Sequence, residues 1–402
     1  MTTVATAPLA PDPVFPLRDE LLDGDGLRAR LAPLVGDEVD RCERVRATYH
    51  PGRTLRVLFR VVAGERTRWI SARMFQPGTS AARYERARVS AEAPSAVVHD
   101  EALATVFSVF PFDRKLRALR RLTDGSWPPI SGAAFATCHL VAYAPEKAAT
   151  AAALDDEGRT CAFVKLYADA TAIRTVAVHR ALRADGVHVP AVLKTWPTLH
   201  AVAFEAVHGT RLAALDGVDG WHALGAALAR LHRLDPVDAR RSTRLEPDTL
   251  RTAAATIAAL RPDLGATAWR LERALRSSVP ARPGPTVCLH GDVQPKNVLV
   301  HPGGASLVDL DDAAGGTAAI DLGSALAGLR YDGLLGRPRL GCAEALVEGY
   351  RQEAPPPDRD AVRWCTAAAL LGERALRSIT RLRPAGLERL EAVLTAGLEE
   401  LE

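Results

Sequence analysis

Two β-rich runs dominate the N-terminal part of the chain. Apolar and β-branched residues are concentrated in Thr54 to Val62 and in Thr67 to Phe75, and the polar pair Gly64-Glu65 between them is typical of a turn. A second set of such runs, again joined by polar turns, lies between residues 138 and 167. The pattern therefore predicts two successive sets of β-strands in the first 170 or so residues.

The two strand sets resemble each other in sequence. Residues 49–53 match residues 143–147, with a tyrosine and a proline in common, and residues 72–75 match residues 164–167 about twenty positions later in each set. We interpret this as a duplicated small β module in which Arg73 occupies the position of a lysine. The alternative is two unrelated β-meanders that match by chance.

Beyond residue 167 the pattern becomes mainly helical. Apolar residues recur at three- and four-residue spacing in 172–184, a strand is predicted over 198–207, and further helices follow up to residue 401. One β-rich segment, between residues 286 and 310, interrupts these helices. A small β-rich part followed by a larger helical part predicts an α+β fold with two lobes.

These patterns divide the chain into four parts. The start is rich in Pro, Ala and Thr and is predicted to be disordered. The module that follows it is a candidate degenerate copy of the small lobe, and we expect it to shape the acceptor side of a site or to form a homodimer contact. The predicted parts are a lead-in (1–20), an N-terminal accessory module (21–125), a small lobe (126–206) and a large helical lobe (207–402).

The β-rich interruption contains the residues with the clearest chemistry. Predicted strands 298–300 and 306–310 flank a Pro-Gly-Gly turn, so an antiparallel hairpin places Asn297 across from Asp309. Asp292 lies one tight loop before Asn297. Three oxygen-bearing side chains therefore converge at one end of the hairpin, and such hard oxygen donors suit Mg²⁺.

Phosphoryl transfer requires residues of these types. Magnesium held by a carboxylate and an amide bridges the nucleotide phosphates, and another carboxylate orients the acceptor hydroxyl. Asn297 and Asp309 are the candidate metal ligands, and Asp292 is the candidate catalytic carboxylate. Lys165, at the end of a predicted strand, is the candidate contact for the α- and β-phosphates. The alternative is that the acids and the amide are turn residues and that Lys165 lies on a solvated strand face.

Composition excludes several other classes of protein. With 48% hydrophobic and 25% charged residues, the 402-residue chain has the balance of a soluble globular protein. A net charge of +3 is too small for the basic surface of a nucleic-acid-binding protein, and no apolar run is long enough to cross a membrane. Six scattered cysteines and a start without a signal peptide predict a cytoplasmic protein with reduced thiols.

The motifs around the hairpin resemble those of the aminoglycoside phosphotransferase and choline kinase superfamily, which includes maltokinase-like enzymes. The resemblance rests on His-Gly-Asp at 290–292, on Pro295, Asn297, Val298 and Leu299, and on Val-Asp-Leu-Asp-Asp at 308–312. It extends to Asp-Leu-Gly at 321–323, to Leu-His at 231–232 and to residues 204–209, and so covers about 135 to 380.

What this resemblance implies is a bilobal, protein-kinase-like fold that moves phosphate from ATP or GTP to a hydroxyl of a small molecule. It also implies that the backbone of Glu205, Ala206 and Val207 meets the nucleotide base. His290 is expected to brace the catalytic loop rather than to react.

The chain departs from the family pattern near the phosphates. The helix after Lys165 has no glutamate to pair with it, and Thr175 or His179 falls near that position. There is no Gly-rich loop, since residues 143–147 stand in that region. Lys296, beside Asn297, is interpreted as a solvated loop charge, with contact to a phosphate as the alternative. These departures leave a nucleotide-binding pseudokinase, acting as a partner or scaffold, as the alternative function; a protein kinase is disfavoured because no activation segment follows Asp309.

The acidic and basic residues around the motifs bear on their roles and on the acceptor. Asp311 and Asp312 either form a turn or assist metal or substrate, and Asp321 is interpreted as a helix cap. Residues 340–402 contain eight arginines against eleven acids, and no anionic helix is placed to bind a polycation. This favours a neutral sugar or another hydroxylated metabolite over an aminoglycoside. An arginine face formed by Arg374, Arg377 and Arg381 is interpreted as solvated, with contact to substrate as the alternative.

Overall fold

Two β-sheets with the same strand order form the first half of the protein. The computed structural model describes residues 9–91, 94–128, 130, 137–281 and 284–402. The first sheet has the order β1-β2-β3-β5-β4, and the second has the order β6-β7-β8-β10-β9. Their strands are β1 Arg41–His50, β2 Thr54–Ala63, β3 Arg66–Met74, β4 Val97–Asp100, β5 Thr105–Val109, β6 Thr137–Ala144, β7 Ala148–Leu154, β8 Thr160–Tyr167, β9 Val192–Trp196 and β10 Ala201–Glu205.

The shared topology supports the duplication that the sequence predicts. In each sheet a helix follows the third strand: α3 (Ser80–Val89) in the first and α4 (Thr171–Ala184) in the second. Arg73 on β3 is flanked by the second and fifth strands of its sheet, as Lys165 on β8 is flanked by β7 and β10. Arg73 therefore holds in its sheet the position that Lys165 holds in the second sheet, which favours duplication over two unrelated meanders.

Each repeat begins with an aspartate that ties its first hairpin together. The Asp12 carboxylate accepts a hydrogen bond from the Tyr49 hydroxyl at 2.8 Å and one from the backbone of the β1–β2 turn at 2.9 Å. Asp113 accepts the same two bonds from the Tyr143 hydroxyl and from the backbone of the β6–β7 turn, both at 2.8 Å. Both aspartates are buried. The repeating unit thus starts ahead of its sheet, at residues 12 and 113.

Two predicted boundaries are corrected by this arrangement. Residues 9–20 are not a disordered lead-in: Phe15 and Arg18 are buried, and helices α1 (Arg18–Leu22) and α2 (Gly24–Val35) follow. The composition of residues 9–20 did not predict that they are ordered, because the residues that bury this segment lie in β1 and in the large lobe. The boundary at 125/126 is also too late, since residues 116–122 pack in the core of the second sheet. Residues 1–8 lie outside the described residues.

The large lobe is mainly helical, as predicted. Its helices surround a short hairpin and a two-stranded ribbon, which carry the candidate site. The elements are α5 Asp219–Leu231, α6 Pro247–Leu260, α7 Gly265–Ser277, α8 Ala318–Leu334, α9 Cys342–Glu353, α10 Arg359–Ala369, a π-helical turn Leu370–Ala375, α11 Leu376–Thr380, α12 Pro384–Glu388, α13 Leu390–Glu399, and strands β11 Thr210–Arg211, β12 Thr286–Leu289, β13 Val298–His301, β14 Gly304–Leu307 and β15 Ala314–Thr317. Among the described residues, no helix is both long and apolar enough to span a membrane.

The first sheet packs on the large lobe rather than standing apart from it. Its apolar face shares one continuous core with helices α6, α7, α10 and α13. Polar contacts reinforce this packing: the Arg44 guanidinium donates to the Leu382 carbonyl at 3.0 Å, and the Arg381 guanidinium donates to the Thr48 hydroxyl at 2.8 Å. The packing brings β1 to the edge of the cleft between the second sheet and the large lobe. The architecture is the predicted bilobal α+β fold with an additional β-rich module.

Replacing Asp113 by alanine is expected to lower the free energy of unfolding by about 3 kcal/mol, because buried donors are left without an acceptor. The carboxylate accepts from the Tyr143 hydroxyl and from three backbone N–H groups, those of Lys115, Leu116 and Glu146, at 2.8–3.0 Å. Urea denaturation measures the loss. The control is Asp156→Ala, at an exposed turn position; equal losses in the two variants would contradict the role given to Asp113.

Candidate active site

The predicted hairpin forms, with its register displaced by one residue. Strands β13 and β14 pair with Val298 opposite Leu307, and a two-residue turn joins them. The Val308 N–H donates to the Asn297 carbonyl at 3.0 Å, so Asn297 faces Val308 rather than Asp309. The prediction centred the turn at Gly303, whereas the observed centre lies between Pro302 and Gly303. Asp309 consequently lies just past the ladder, where the chain is free to turn.

Asp309 meets Lys165 across the cleft between the lobes. Asp309 adopts a left-handed backbone conformation, with φ of 63°, and its carboxylate lies 2.5 Å from the Lys165 Nζ. Burial lowers the pKa of Lys165, but the Tyr167 hydroxyl and the carboxylates of Asp309 and Asp311 outweigh it and hold the pKa above its usual range. The ammonium is therefore charged throughout the physiological pH range.

Asp292 lies in the same cleft and is ionised. Its carboxylate accepts from the Gln294 amide at 2.7 Å and from the Asn297 Nδ2 at 3.3 Å, and two guanidinium groups, those of Arg244 and Arg377, lie 3.2 and 3.3 Å away. Burial raises the pKa of Asp292, but the charges of Arg377 and Arg244 outweigh it and hold the pKa well below its usual range. Such a carboxylate is a weak base, so it is suited to orienting a hydroxyl rather than to removing its proton early.

A buried aspartate holds the loop that carries Asp292. Asp321, 1% exposed, accepts from the backbone N–H groups of His290 and Gly291 at 2.7 and 3.1 Å and contacts the His232 Nε2 at 3.2 Å. The helix-cap interpretation of Asp321 is wrong, because α8 begins at Ala318 and Asp321 lies inside its first turn. This carboxylate accepts hydrogen bonds from buried backbone N–H groups of a loop that is distant in sequence. Rules for helix capping use only the local sequence, so they do not reveal these contacts.

His290 braces the loop, as the family resemblance implies. Its Nε2 lies 3.1 Å from the Val308 carbonyl, and the Asp292 N–H donates to its Nδ1 at 3.2 Å. With these contacts the imidazole connects the start of the loop to Val308, between the end of β14 and Asp309. His290 is buried, and none of its contacts points to a reactive role.

Asp311 takes the place of the missing helix glutamate. Thr175 and His179 lie on α4 where that glutamate was expected, but neither contacts Lys165: His179 bonds to a backbone carbonyl, and Thr175 lies 3.4 Å from Asp311. The Asp311 carboxylate instead lies 2.7 Å from the Lys165 Nζ and accepts from the Tyr167 hydroxyl at 2.9 Å. Of the two uses left open for Asp311, a turn residue or a site residue, the contacts favour the site residue.

Helix α4 is connected to this segment by an arginine instead of by an acid. The Arg174 guanidinium donates to the carbonyls of Asp311, at 3.1 Å, and of Ala313, and its Nε lies 2.6 Å from the Asp238 carboxylate. The helix that supplies a lysine partner in the family pattern thus positions the backbone on either side of Asp312. Sequence spacing gives no signal for this contact, since the partners are more than a hundred residues apart.

The turn that replaces a Gly-rich loop is held by the N-terminal module. Glu146 has a left-handed φ of 57°, and its carboxylate lies 2.8 Å from Arg73 and from Arg56 and 3.5 Å from Arg114. Burial raises the pKa of Glu146, but the three arginines outweigh it and lower the pKa below its usual value. Lys147, next in sequence, lines the cleft. Arg73 therefore uses the lysine position of its repeat to fix the turn of the other repeat.

The predicted base-binding residues lie apart from these groups. Glu205 is the last residue of β10, and Ala206 and Val207 follow it. All three line a second cavity of about 610 Å³, whereas the cleft that holds the charged residues measures about 930 Å³. The Glu205 carboxylate accepts from the Ala191 N–H at 3.0 Å and contacts Arg183 at 3.3 Å. Within the described residues, the structure brings together four of the predicted site residues, Lys165, Asp292, Asn297 and Asp309, and places the predicted base-binding segment at the separate cavity.

The donors present fit a magnesium ion that keeps most of its water. Asn297 directs its Nδ2 to the Asp292 carbonyl at 3.0 Å, which leaves its amide oxygen as the atom able to bind a cation. The Asp309 carboxylate already has a positive group beside it, the Lys165 ammonium. No group of three or more His, Cys, Asp or Glu side chains forms a metal site in the part of the chain that is described. Mg²⁺ commonly takes one or two protein oxygens together with substrate phosphates, so this sparse set suffices.

Replacing Asp311 by asparagine is expected to raise the KM for nucleotide about tenfold, the effect of losing one charged contact worth about 1.4 kcal/mol. The variant removes the carboxylate that positions Lys165 but leaves Asp309 in place. The KM is measured from ADP release at varied ATP. Asp185→Asn, an exposed acid at the end of α4, is the control. An unchanged KM in Asp311→Asn would show that Lys165 does not depend on this partner.

Comparison with known proteins identifies the family of this chain. A model of the phosphotransferase enzyme family matches residues 148–390, more than half of the chain. A choline/ethanolamine kinase family protein from Mesorhizobium loti is 17% identical, with 70% of this chain and 93% of that chain covered and a TM-score of 0.52. An aminoglycoside-3′-phosphotransferase of type VIII is 20% identical, with 63% and 97% covered and a TM-score of 0.47. No curated protein matches the chain. This chain therefore belongs to the phosphotransferase enzyme family.

Proposed function

We propose that this protein transfers the γ-phosphate of ATP, or of GTP, to a hydroxyl group of a small molecule in a Mg²⁺-dependent reaction. One observation carries the proposal: Lys165 from the second sheet and Asp292 and Asp309 from the large lobe line a single cleft, and the buried Asn297 bonds to Asp292. Family membership supports phosphate transfer but not the choice of acceptor.

Each of these groups has a role that its surroundings support. Lys165 is charged and lies near the C-terminal end of β8, where it contacts the phosphates of the nucleotide. Asn297 and Asp309 would hold Mg²⁺, which shields the charge that builds up on the phosphate oxygens. Asp292 accepts a hydrogen bond from the acceptor hydroxyl and directs its oxygen at the γ-phosphorus. Because the transition state of phosphoryl transfer is loose, this orientation matters more than early removal of the proton.

The segment after Asp309 favours a small acceptor over a protein. Residues 310–317 contain one helical turn and then strand β15, which pairs directly with β12, and α8 begins at Ala318. No long segment is available there to bind an extended peptide. The sequence pointed to a neutral sugar or a related hydroxylated metabolite as the acceptor.

The alternative, a nucleotide-binding pseudokinase, loses its main support. It rested on the absence of a helix glutamate and of a Gly-rich loop. Asp311 now provides a partner for Lys165, and the turn at Glu146 is fixed by three arginines. Asp292, Asn297 and Asp309 are all present. These contacts favour an enzyme that transfers phosphate over a pseudokinase that only binds nucleotide.

The test is ADP release from Mg-ATP in the presence of sugars, amino sugars, amino alcohols, hydroxy acids and sugar phosphates. Asp292→Asn is the blank, because it preserves shape and removes the charge. Release that one class of acceptor stimulates in the native protein but not in Asp292→Asn establishes the reaction. Binding of Mg-ATP without stimulated release would support the pseudokinase, and absence of nucleotide binding would overturn the proposal.

A further inference from the structure

The wall of the cleft beyond Asp292 is built from arginine. Arg46 comes from β1 of the N-terminal module, Arg377 from α11, and Arg381 and Arg383 from the segment that follows α11. All four line the 930 Å³ cleft together with Asp292. The solvated arginine face predicted from the sequence is wrong, because docking of the first sheet converts the exposed side of α11 into a cleft wall. Arg374, the third member of that face, is buried and donates to the Ser324 carbonyl.

Most of this positive charge forms no ion pair among the described residues. Arg377 contacts Asp292 at 3.3 Å, and the Arg381 guanidinium donates to the neutral Thr48 hydroxyl at 2.8 Å. In the part of the chain described by the structure, no carboxylate lies within 4.0 Å of Arg46, Arg381 or Arg383. By contrast, the half-buried Arg56 and Arg73 are paired with Glu146. Arg46 and Arg381 are therefore half-buried in the cleft wall without a carboxylate at ion-pair distance.

The unpaired arginines also repel one another. Burial, and then the charges of Arg46, Arg377 and Arg383, lower the pKa of Arg381 to about 10. Burial and the charge of Arg383 likewise lower the pKa of Arg46, and the opposing charge of Asp309 does not outweigh them. Like charges held this close destabilise the folded protein unless a ligand neutralises them. Their retention at the edge of a cavity points to an anion as that ligand.

The cluster adjoins Asp292, where the proposed function places the acceptor hydroxyl. Under that function Lys165 and Asp309 hold the nucleotide phosphates, and Asp309 acts on Arg46 through its charge without forming an ion pair with it. Arg377 reaches the Asp292 carboxylate itself, so the cluster adjoins the place where the acceptor hydroxyl must lie. An anion bound by Arg46 and Arg381 would then belong to the acceptor.

We infer that the phosphate acceptor is an anion, a small hydroxylated molecule that carries a carboxylate or a phosphate group bound by Arg46, Arg381 and Arg383. This inference rests on the proposed function and narrows its acceptor class. Guanidinium groups match carboxylate and phosphate through paired hydrogen bonds, and they repel an amine. A neutral sugar leaves the charge of the cluster unbalanced, and a polycation is excluded by it.

The test measures binding in thermal unfolding, so that it does not require turnover. The protein is first saturated with Mg²⁺ and a non-hydrolysable ATP analogue, which fills the γ-phosphate position. Matched pairs are then added at constant ionic strength: gluconate against sorbitol, glycerate against glycerol, and glucose 6-phosphate against glucose, with glucosamine as the cation. We expect at least one anion to raise the melting temperature while its neutral partner and glucosamine do not. Comparing the shifts caused by gluconate and glycerate with the shift caused by glucose 6-phosphate shows whether the cluster binds a carboxylate or a phosphate group.

Three variants make the result specific. Arg46→Gln and Arg381→Gln are each expected to remove the shift caused by the anion and to keep the shift caused by the nucleotide analogue. Arg46→Gln should also leave or raise the melting temperature of the free protein, since repulsion is relieved. Arg251→Gln, on the exposed face of α6, changes the net charge equally and should keep both shifts.

The outcomes distinguish this inference from the proposed function. A missing shift with the nucleotide analogue would overturn the proposed function. If that shift is present, the inference is overturned when a neutral or cationic member stabilises better than its anionic partner, when none of the anions stabilises, or when the anion's shift survives in Arg46→Gln and Arg381→Gln. An ADP-release assay on the acceptor found should then show a raised acceptor KM in these two variants with the ATP KM unchanged.

Discussion

Replacing Asp292 by asparagine is expected to lower kcat by about 10³-fold, within the range found for a positioned carboxylate that exchanges a proton with the substrate. The amide preserves the shape of the side chain but loses the charge that accepts the hydroxyl proton at the end of the transfer. The contacts with Gln294 and Asn297 show that the carboxylate is held in one orientation, so little of the loss should come from movement of the loop. The measurement is steady-state ADP release with the best acceptor of the panel.

Nucleotide binding provides the control for this prediction. Lys165, Asp309 and Asp311 do not contact Asp292 directly, so the dissociation constant for Mg-ATP should change less than threefold in Asp292→Asn. Asp248→Asn, an exposed acid in the first turn of α6, should leave kcat unaltered. A kcat within tenfold of the native value in Asp292→Asn would show that this carboxylate does not face the acceptor.

The local features of the site could be predicted from the sequence. The hairpin is defined by a strand, a turn and a second strand within about fifteen residues, so its pattern alone brings Asp292, Asn297 and Asp309 together. Even so, the register was predicted one residue off, because Pro302-Gly303 forms a two-residue turn and a Pro-Gly-Gly sequence permits more than one centre. A one-residue error places Asp309 past the ladder without removing it from the site.

Long-range features could not be predicted in the same way. Asp311 partners Lys165 only because the second sheet is seated on the large lobe, and α4 offers no acid. The arginine wall depends on β1 of the N-terminal module reaching α11, which no sequence spacing encodes. The order of residues 9–20 depends on Asp12 finding the Tyr49 hydroxyl inside the first repeat. Each of these errors arose where the partner lies tens to hundreds of residues away.

The N-terminal module supports the sheet that carries Lys165. Arg73 stands where Lys165 stands in the second repeat, but it faces Glu146 instead of a hairpin carboxylate. Through Glu146 it fixes the turn beside Lys147, and through Arg46 the same module forms part of the cleft wall. The first sheet thus contributes to the cleft at two places.

Replacing Gly291 by alanine is expected to lower the free energy of unfolding by about 3 kcal/mol and to lower kcat by about 10²-fold, because both backbone strain and a collision are introduced. Gly291 has a φ of +79°, and a Cβ on it would lie 2.0 Å from the Asp312 carbonyl oxygen and 2.7 Å from the carbonyl carbon. Neither atom is the end of a flexible side chain, so the loop or the segment after Asp309 must move. Urea denaturation and ADP release measure the two effects.

Gly336 supplies a matched control that separates strain from collision. Its φ is +76°, close to that of Gly291, but nothing lies within 4 Å of the Cβ that alanine would add. Gly336→Ala should therefore lose only about 1 kcal/mol, the cost of a left-handed alanine, and keep its activity. Because the Gly291 N–H also donates to the buried Asp321 carboxylate at 3.1 Å, displacing the loop breaks the contact that positions Asp292. Equal losses in the two variants would mean that the backbone conformation alone matters, and that the packing of the catalytic loop against Asp312 does not position the catalytic carboxylate.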